Sequence, residues 1–340
     1  MGDDGRSAEA LLSSAHTQLT HDGVQCFICT LPADEAQPLF YGWAAREGWN
    51  PAPVDPRLWA AIDDRAFHVL YRRPPATATT SDQSAVVSAE PICILATLII
   101  DDQHAFLGPF ITAAAYQRRG FGSLLFDWGM ARLDPSRRCI GLDSTLEQQP
   151  SYQRRGFEHT AAQEWRYAGI VAPSLSSAAV GVEVVHAARD GRVQRDQLCA
   201  LYERCSESSL VTPAFCDALL SSPNTVALAA LSAAQPASAQ SPSLAGLVVA
   251  RRAGVGYRVA PLFAESTEVA ELLLQQLQAE LGSGVVEKCG IHIDVPSSHA
   301  AAVELMERLS LKKVFASVRL YTRPPRAVPH HWVYGSEPCP

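Results

Sequence analysis

Seven consecutive residues, Gln117-Arg118-Arg119-Gly120-Phe121-Gly122-Ser123, have the chemistry of a phosphate cradle. Gly120 and Gly122 permit positive φ and a close approach of backbone to ligand, and a helix starting there turns unsatisfied N–H groups and a positive dipole end toward an anion. Arg118 and Arg119 add charge beside it, although a solvated arginine is the ordinary alternative for each. The hexapeptide YQRRGF spans 116–121 and recurs at 152–157. The first copy opens a helix. In the second, Gly156 reads as the left-handed residue that ends one, with Arg154 and Arg155 as cations at the helix end. Cys26 and Cys29 form a CxxC within VQCFICTL, where strand alternation sends them to opposite faces, so they read as buried thiols. His330 and His331 are adjacent, too close for a chelating helix pair, and no metal site is expected.

The elements that must carry the cradle occur twice. Strand-like AFHVLY and PICILATLII flank an Ala/Ser/Thr/Pro-rich stretch at 72–91, and TVALAAL and LAGLVVARR flank another at 232–243. Each hairpin is followed by a strand, a helix, a strand and a short helix: HAFLGPFITA, SLLFDWGMARL, RCIGLD and a turn ending at Arg155, with a strand pair expected after Gly156. The second series is GYRVAPLFA, VAELLLQQLQAELG, CGIHIDV and AAAVELMERLSL, closing on KKVFASVRLYTR. Leu124, Leu125, Trp128 and Ala131 give one helix an apolar stripe, and Val269, Leu273, Leu277 and Leu281 give the other. The fold class is α/β (α+β): two tandem lobes, each with a mixed, mostly antiparallel sheet flanked by helices. Residues 1–22 are expected to be disordered or weakly ordered, 23–172 to form the first lobe, 173–181 a linker, 182–325 the second lobe and 326–340 a Pro-rich tail. Five of the six tryptophans (43, 49, 59, 128 and 165) fall in the first lobe, favouring it as the working one.

The run strand, Q-R-R-G-F-G, amphipathic helix resembles the acyl-coenzyme A motif of the GNAT superfamily of N-acetyltransferases, whose pattern is Gln/Arg-x-x-Gly-x-Gly/Ala. IGLDSTLEQQPSYQRRGFE resembles that family's later strand, short helix and Tyr-x-x-x-Gly-Phe ending, with Tyr152, Gly156 and Phe157 in place. The resemblance covers residues 24 to 170 by motif. The tandem arrangement resembles a bacterial type with a GNAT lobe followed by a divergent acetyltransferase-like lobe, although Ser310-Leu311 stands where Gly-Phe would be. It implies that Phe110, Ile111 and Thr112 hold the pantetheine arm and polarise the thioester, that Gln117 to Ser123 bind the pyrophosphate of acetyl-CoA, and that Tyr152 protonates the departing thiolate. In the second lobe Ala264-Glu265-Ser266-Thr267-Glu268 replaces the glycine loop, and its two carboxylates repel a pyrophosphate. That lobe is expected to keep the fold without the coenzyme site and to help build an acceptor pocket or the lobe interface.

An ammonium acceptor must lose a proton before it attacks. Asp143, ending a strand, is the candidate base, with Asp101, Asp102 and His104 as rivals; a carboxylate there is as often a helix cap, a duty Ser144 or Thr145 could share. No cysteine stands in either motif, which favours direct attack in a ternary complex. The expected activity is acetyl transfer to a primary amine, with a small-molecule acceptor and no metal, the alternatives being an acyl-CoA sensor or a two-lobe scaffold. With 28 Lys+Arg against 35 Asp+Glu, the net charge of −7 gives no general basic field for nucleic acid. The longest apolar run, 92–100 apart from Thr97, is half a bilayer span, and the start lacks the apolar core of a signal peptide. A cytoplasmic monomer or homodimer is expected.

Overall fold

The computed structural model describes residues 8–74, 89–173, 181–206, 213–232, 242–282 and 290–336. Most of both hairpin insertions (75–88 and 233–241) and of the linker (174–180) lie outside the described residues.

The first half runs α1 (Ala8–Ser13), β1 (Thr17–His21), β2 (Val24–Leu31), α2 (Ala33–Arg46), α3 (Asp55–Ala60), β3 (Phe67–Arg72), β4 (Glu90–Ile99), β5 (His104–Thr112), α4 (Phe121–Leu133), β6 (Cys139–Thr145), α5 (Gln149–Gln153) and β7 (His159–Gly169). The second runs β8 (Val182–His186), α6 (Arg195–Cys205), α7 (Pro213–Ser221), β9 (Thr225–Ser232), β10 (Leu244–Arg252), β11 (Tyr257–Ala264), α8 (Thr267–Leu281), β12 (Ile291–Pro296), α9 (Ala300–Arg308), β13 (Lys312–Tyr321) and β14 (Val333–Gly335). Residues 8–22, expected to be weakly ordered, instead form α1 and an edge strand: Thr17 to His21 pair with Ile28 to Val24. The Pro-rich tail likewise carries β14, anchored by buried Val333 and Tyr334.

The described strands form one sheet, in the order β1-β2-β3-β4-β5-β6-β13-β7-β12-β11-β10-β9-β8, with β14 on β11. Only β5–β6 and β11–β12 are parallel. The expected strand pair after Gly156 is absent; a single eleven-residue strand, β7, takes its place. Its neighbours β12 and β13 both come from the second half, while β13 lies between β6 and β7 of the first. The halves therefore exchange strands, β7 of the first entering the second and β13 of the second entering the first. A strand read from local pattern shows its own alternation and not its partner, which is why the exchange escapes the sequence.

Helices cover both faces. Phe27, Cys29 and Leu31 of β2 pack with α2, and Cys26 and Ile28 pack toward α4, so the CxxC is split across the sheet as expected. The α8 stripe is buried as read. In α4 the buried residues are Phe121, Leu125, Phe126, Gly129 and Leu133, a face rotated from the expected one. Gly129 sets that rotation: a Cβ there would sit 2.4 Å from Leu95 Cδ2, so its bare backbone lies against β4.

Candidate active site

The glycine loop lies between the end of β5 and α4. Gly120 precedes the helix at φ +86°, in the left-handed region, and Arg118 is also left-handed at +59°. A Cβ at Gly120 would lie 2.7 Å from His21 Nε2, and one at Gly122 would lie 2.8 Å from Thr112 Oγ1. The first-turn amides of the thirteen-residue α4 are thus bared at a place where only glycine fits. Gln117 Nε2 donates to the Thr112 carbonyl at 3.0 Å, tying the loop to the strand, and Phe121 is fully buried. Arg118 is exposed, whereas Arg119 pairs with Asp22 at 2.6 Å and lies over the Tyr116 and Phe121 rings. His21 Nε2 donates to the Arg119 carbonyl at 2.7 Å, so the β1–β2 turn braces the loop. Sequence reading missed this brace, since nothing in the spacing of His21 and Asp22 points to a loop about a hundred residues away.

The second YQRRGF does a different job. Gly156 ends α5 at φ +93°, and Arg155 donates to Ser123 Oγ and pairs with Asp127, each at 2.7 Å, fastening α5 to α4.

Beyond the loop the two parallel strands part. Pairing of β5 with β6 stops at Phe106↔Gly141, leaving Gly108 to Thr112 facing a gap. Through it runs a cavity of about 220 Å³, reaching from Tyr152 on the α4 side to Trp49 and Trp59 on the α2–α3 side. Phe110 lines this cavity; Ile111 is buried in the core, and Thr112 Oγ1 lies 3.1 Å from Cys93 Sγ. The Tyr152 ring packs with Phe126 and Phe157. Burial pushes its phenol up to about 12, so it stays protonated as a hydrogen-bond donor.

The inner wall is ionic. Both Asp143 oxygens accept from Arg319 of β13, at 2.7 and 2.8 Å. Asp294 of β12 accepts from Arg166 of β7 at 2.6 and 3.0 Å, and also from Arg258. Burial alone would raise the Asp294 carboxyl, but Arg258 and Arg166 override it and hold the group well below the usual carboxylate range. Arg166 and Arg258 both donate to the Trp49 carbonyl, fixing the loop between α2 and α3 against the second half. Between the two arginine clamps sits Glu164 of β7, 7% exposed, with Oε2 accepting from Ser336 Oγ at 2.7 Å. Burial pushes its carboxyl up to about 8, only partly offset by Arg319 and Ser336. Of the rivals to Asp143, His104 and Asp101 pair with each other at 2.9 Å, and Asp102 pairs with Arg137. Arg166, Arg319 and Glu164 were missed because their partners lie in the opposite half.

In the second half the matching gap is filled. Pairing of β11 with β12 stops at Val259↔Ile293, and there β14 joins β11 through Leu262↔Gly335 and Phe263↔Val333. The Tyr334 hydroxyl lies 2.8 Å from Thr267 Oγ1 at the α8 N-terminus, and its ring lies against His299. Ser266, not glycine, caps α8.

Among the described residues no cluster of His, Cys, Asp and Glu could hold a metal ion, and no helix is long and apolar enough to cross a membrane.

Residues 228–335 match the acetyltransferase (GNAT) domain family, a match that falls on the half with the filled gap. Holothin acyltransferase of Pseudoalteromonas sp. (strain SANK 73390) is 23% identical over 285 residues, covering 82% of each chain. Among solved structures, a putative acetyltransferase from Pyrococcus horikoshii superposes with a TM-score of 0.66 at 16% identity, over 94% of this chain and 96% of that one. A tandem GNAT protein from the clavulanic acid biosynthesis pathway gives 0.59 at 12% identity, over 88% of this chain and 99% of that one.

Proposed function

For this chain, an acyltransferase with the fold of tandem GNAT proteins, we propose transfer of an acetyl group from acetyl-CoA to a primary amine of a small molecule, by direct attack in a ternary complex in the first half. One observation carries the reading: a single cavity joins the open β5–β6 gap below the glycine loop to an aromatic chamber between the halves. The holothin relative supports a small-molecule acceptor by analogy. A cavity of about 220 Å³ walled by Phe40, Trp49, Trp59, Phe106 and Phe315 suits a compact acceptor with an apolar body.

The residues fit the coenzyme, because a side chain would collide where Gly120 and Gly122 bare the α4 amides. Acetyl-CoA, when bound, supplies the thioester. The α4 amides and Arg118 hold its pyrophosphate, with Gln117, Arg119, Phe121 and Ser123 shaping the loop. The backbone of Phe110, Ile111 and Thr112, paired with β4 on one side and open on the side facing β6, holds the pantetheine arm and donates to the oxygen as charge develops. Tyr152 offers its phenol proton to the thiolate. Asp143, with both oxygens on Arg319, serves better as the anchor of β13 than as a base, since an incoming amine would compete with a guanidinium already in place.

Purified protein incubated with acetyl-CoA and a broad amine panel tests the reading. Thiol release that depends on an amine is expected; coenzyme binding with no release for any amine would turn the reading to a sensor.

A further inference from the structure

A second, smaller cavity of about 60 Å³ adjoins the first along the same face of the sheet, and the two share Phe106, Glu164, Arg319 and Ser336. Glu164 is therefore part of the partition between them. The small cavity is lined by His104, Tyr202 and Ser206 and reaches His330, which is exposed at the surface. At roughly 30 Å³ of liquid volume per water it has room for about two. Among the described residues the Glu164 carboxyl has one hydrogen bond, Oε2 accepting from Ser336 Oγ, and the residue lines both cavities. The charged groups around it are Arg319 and Asp143 on one side, and Arg166, Arg258 and Asp294 on the other. Each of those carboxylates is held by an arginine, whereas Glu164 is in no ion pair among the described residues.

We infer that Glu164 is the group that takes the acceptor's proton, and that the small cavity carries that proton to solvent. The inference rests on the acetyl-transfer reading above. The ammonium acceptor first gives one proton to solvent; as the neutral amine nitrogen then forms its bond to the acetyl carbon and the carbon–sulfur bond breaks, a second N–H proton passes to the Glu164 carboxylate and the sulfur takes a proton from Tyr152. Glu164 then releases its proton through water past His104 and His330, and Tyr152 is reprotonated from solvent. A buried carboxyl with a raised proton affinity is suited to this near neutral pH, and Ser336 tunes it by donating to the ionised form.

The test uses the full chain and an amine that supports turnover. Glu164→Gln should lower kcat by about 10²-fold, remove the rising limb of the pH–rate profile and leave calorimetric acetyl-CoA affinity unchanged. Ser336→Ala removes the hydrogen bond to the Glu164 carboxylate and should move that limb to higher pH, lowering the rate near neutral pH and restoring it in more alkaline solution, a shift that a purely structural role would not produce. Independently of turnover, infrared difference spectra of the wild type should show a protonated carboxyl band titrating near pH 8 that is absent from Glu164→Gln. Unchanged kcat and pH profile in Glu164→Gln, or an unshifted limb in Ser336→Ala, would overturn the inference while leaving acetyl transfer intact. A wild type that releases no thiol with any amine would remove both.

Discussion

Asp143 and Asp294 stand at corresponding places in the two halves, and each is gripped through both oxygens by an arginine on the strand donated by the other half. Asp143 lies opposite Arg319 where β6 meets β13, and Asp294 lies opposite Arg166 where β12 meets β7. These clamps lock the register of the exchanged strands. The carboxylate that sequence reasoning singles out as a candidate base thus has an architectural duty of its own.

Breaking one clamp should cost more than removing it whole. Arg319→Met leaves Asp143 without its guanidinium in a largely buried site, and should destabilise the protein by about 3 kcal/mol. Adding Asp143→Asn should recover part of the loss. Denaturant melts of the single and double variants measure the coupling, and strictly additive losses would deny the clamp its role.

Coenzyme binding should depend on the first loop alone. Gly120→Glu puts a branched backbone at φ +86°, a collision with His21, and a negative charge against the pyrophosphate, and should abolish acetyl-CoA binding by calorimetry. Reversing charge at Glu265 or Glu268 should change nothing. Unaltered affinity in the Gly120 variant would remove the basis of the functional reading.

Tyr152→Phe should separate chemistry from binding. The ring stays packed on Phe126 and Phe157, so coenzyme affinity and melting temperature should hold while kcat falls by about 10²-fold. Full turnover would pass the acid role to water.

Stability should respond to pH through Glu164 and Asp294 with opposite signs. The folded Glu164 carboxyl is pushed up to about 8, above its unfolded value, so its contribution is present in acid and lost as pH rises through about 8. Glu164→Gln should therefore melt higher than the wild type at pH 9 and alike at pH 4. Asp294, depressed by Arg258 and Arg166, contributes above the ordinary carboxylate range and loses it as the solution is acidified. A Glu164→Gln variant with the wild type's pH profile of stability would refute the buried-acid description.

The filled gap should be structural only. Tyr334→Ala removes a 3% exposed ring and its bond to Thr267, and should cost about 3 kcal/mol. It should confer no second coenzyme site, since Glu265 and Glu268 remain at the α8 start; a binding stoichiometry of two would overturn this.

Local chemistry was legible in the sequence, and distant pairing was not. Gly120, Gly156 and the α8 stripe stand as read, because turn geometry and helical period are written in neighbouring residues. The α4 face was misjudged, since Gly129 packs through what it lacks. Arg166, Glu164 and Arg319 looked like ordinary strand residues; they acquire meaning only when β7 and β13 change places. The Pro-rich composition of the tail hid β14, which is only three residues long, the middle one being Tyr334.

The exchange also governs how the chain can be made. All ladder partners of β7 lie in residues 291–321, and β13 pairs only with β6 and β7. During synthesis the first half must therefore wait, with an open edge on β6 and an unpaired β7, until nearly the whole polypeptide has emerged. Contacts of such sequence separation slow folding and leave sticky edges in the meantime. Neither half can be excised as a self-sufficient unit, and two fragments divided between β7 and β8 should find their native form only in each other's company.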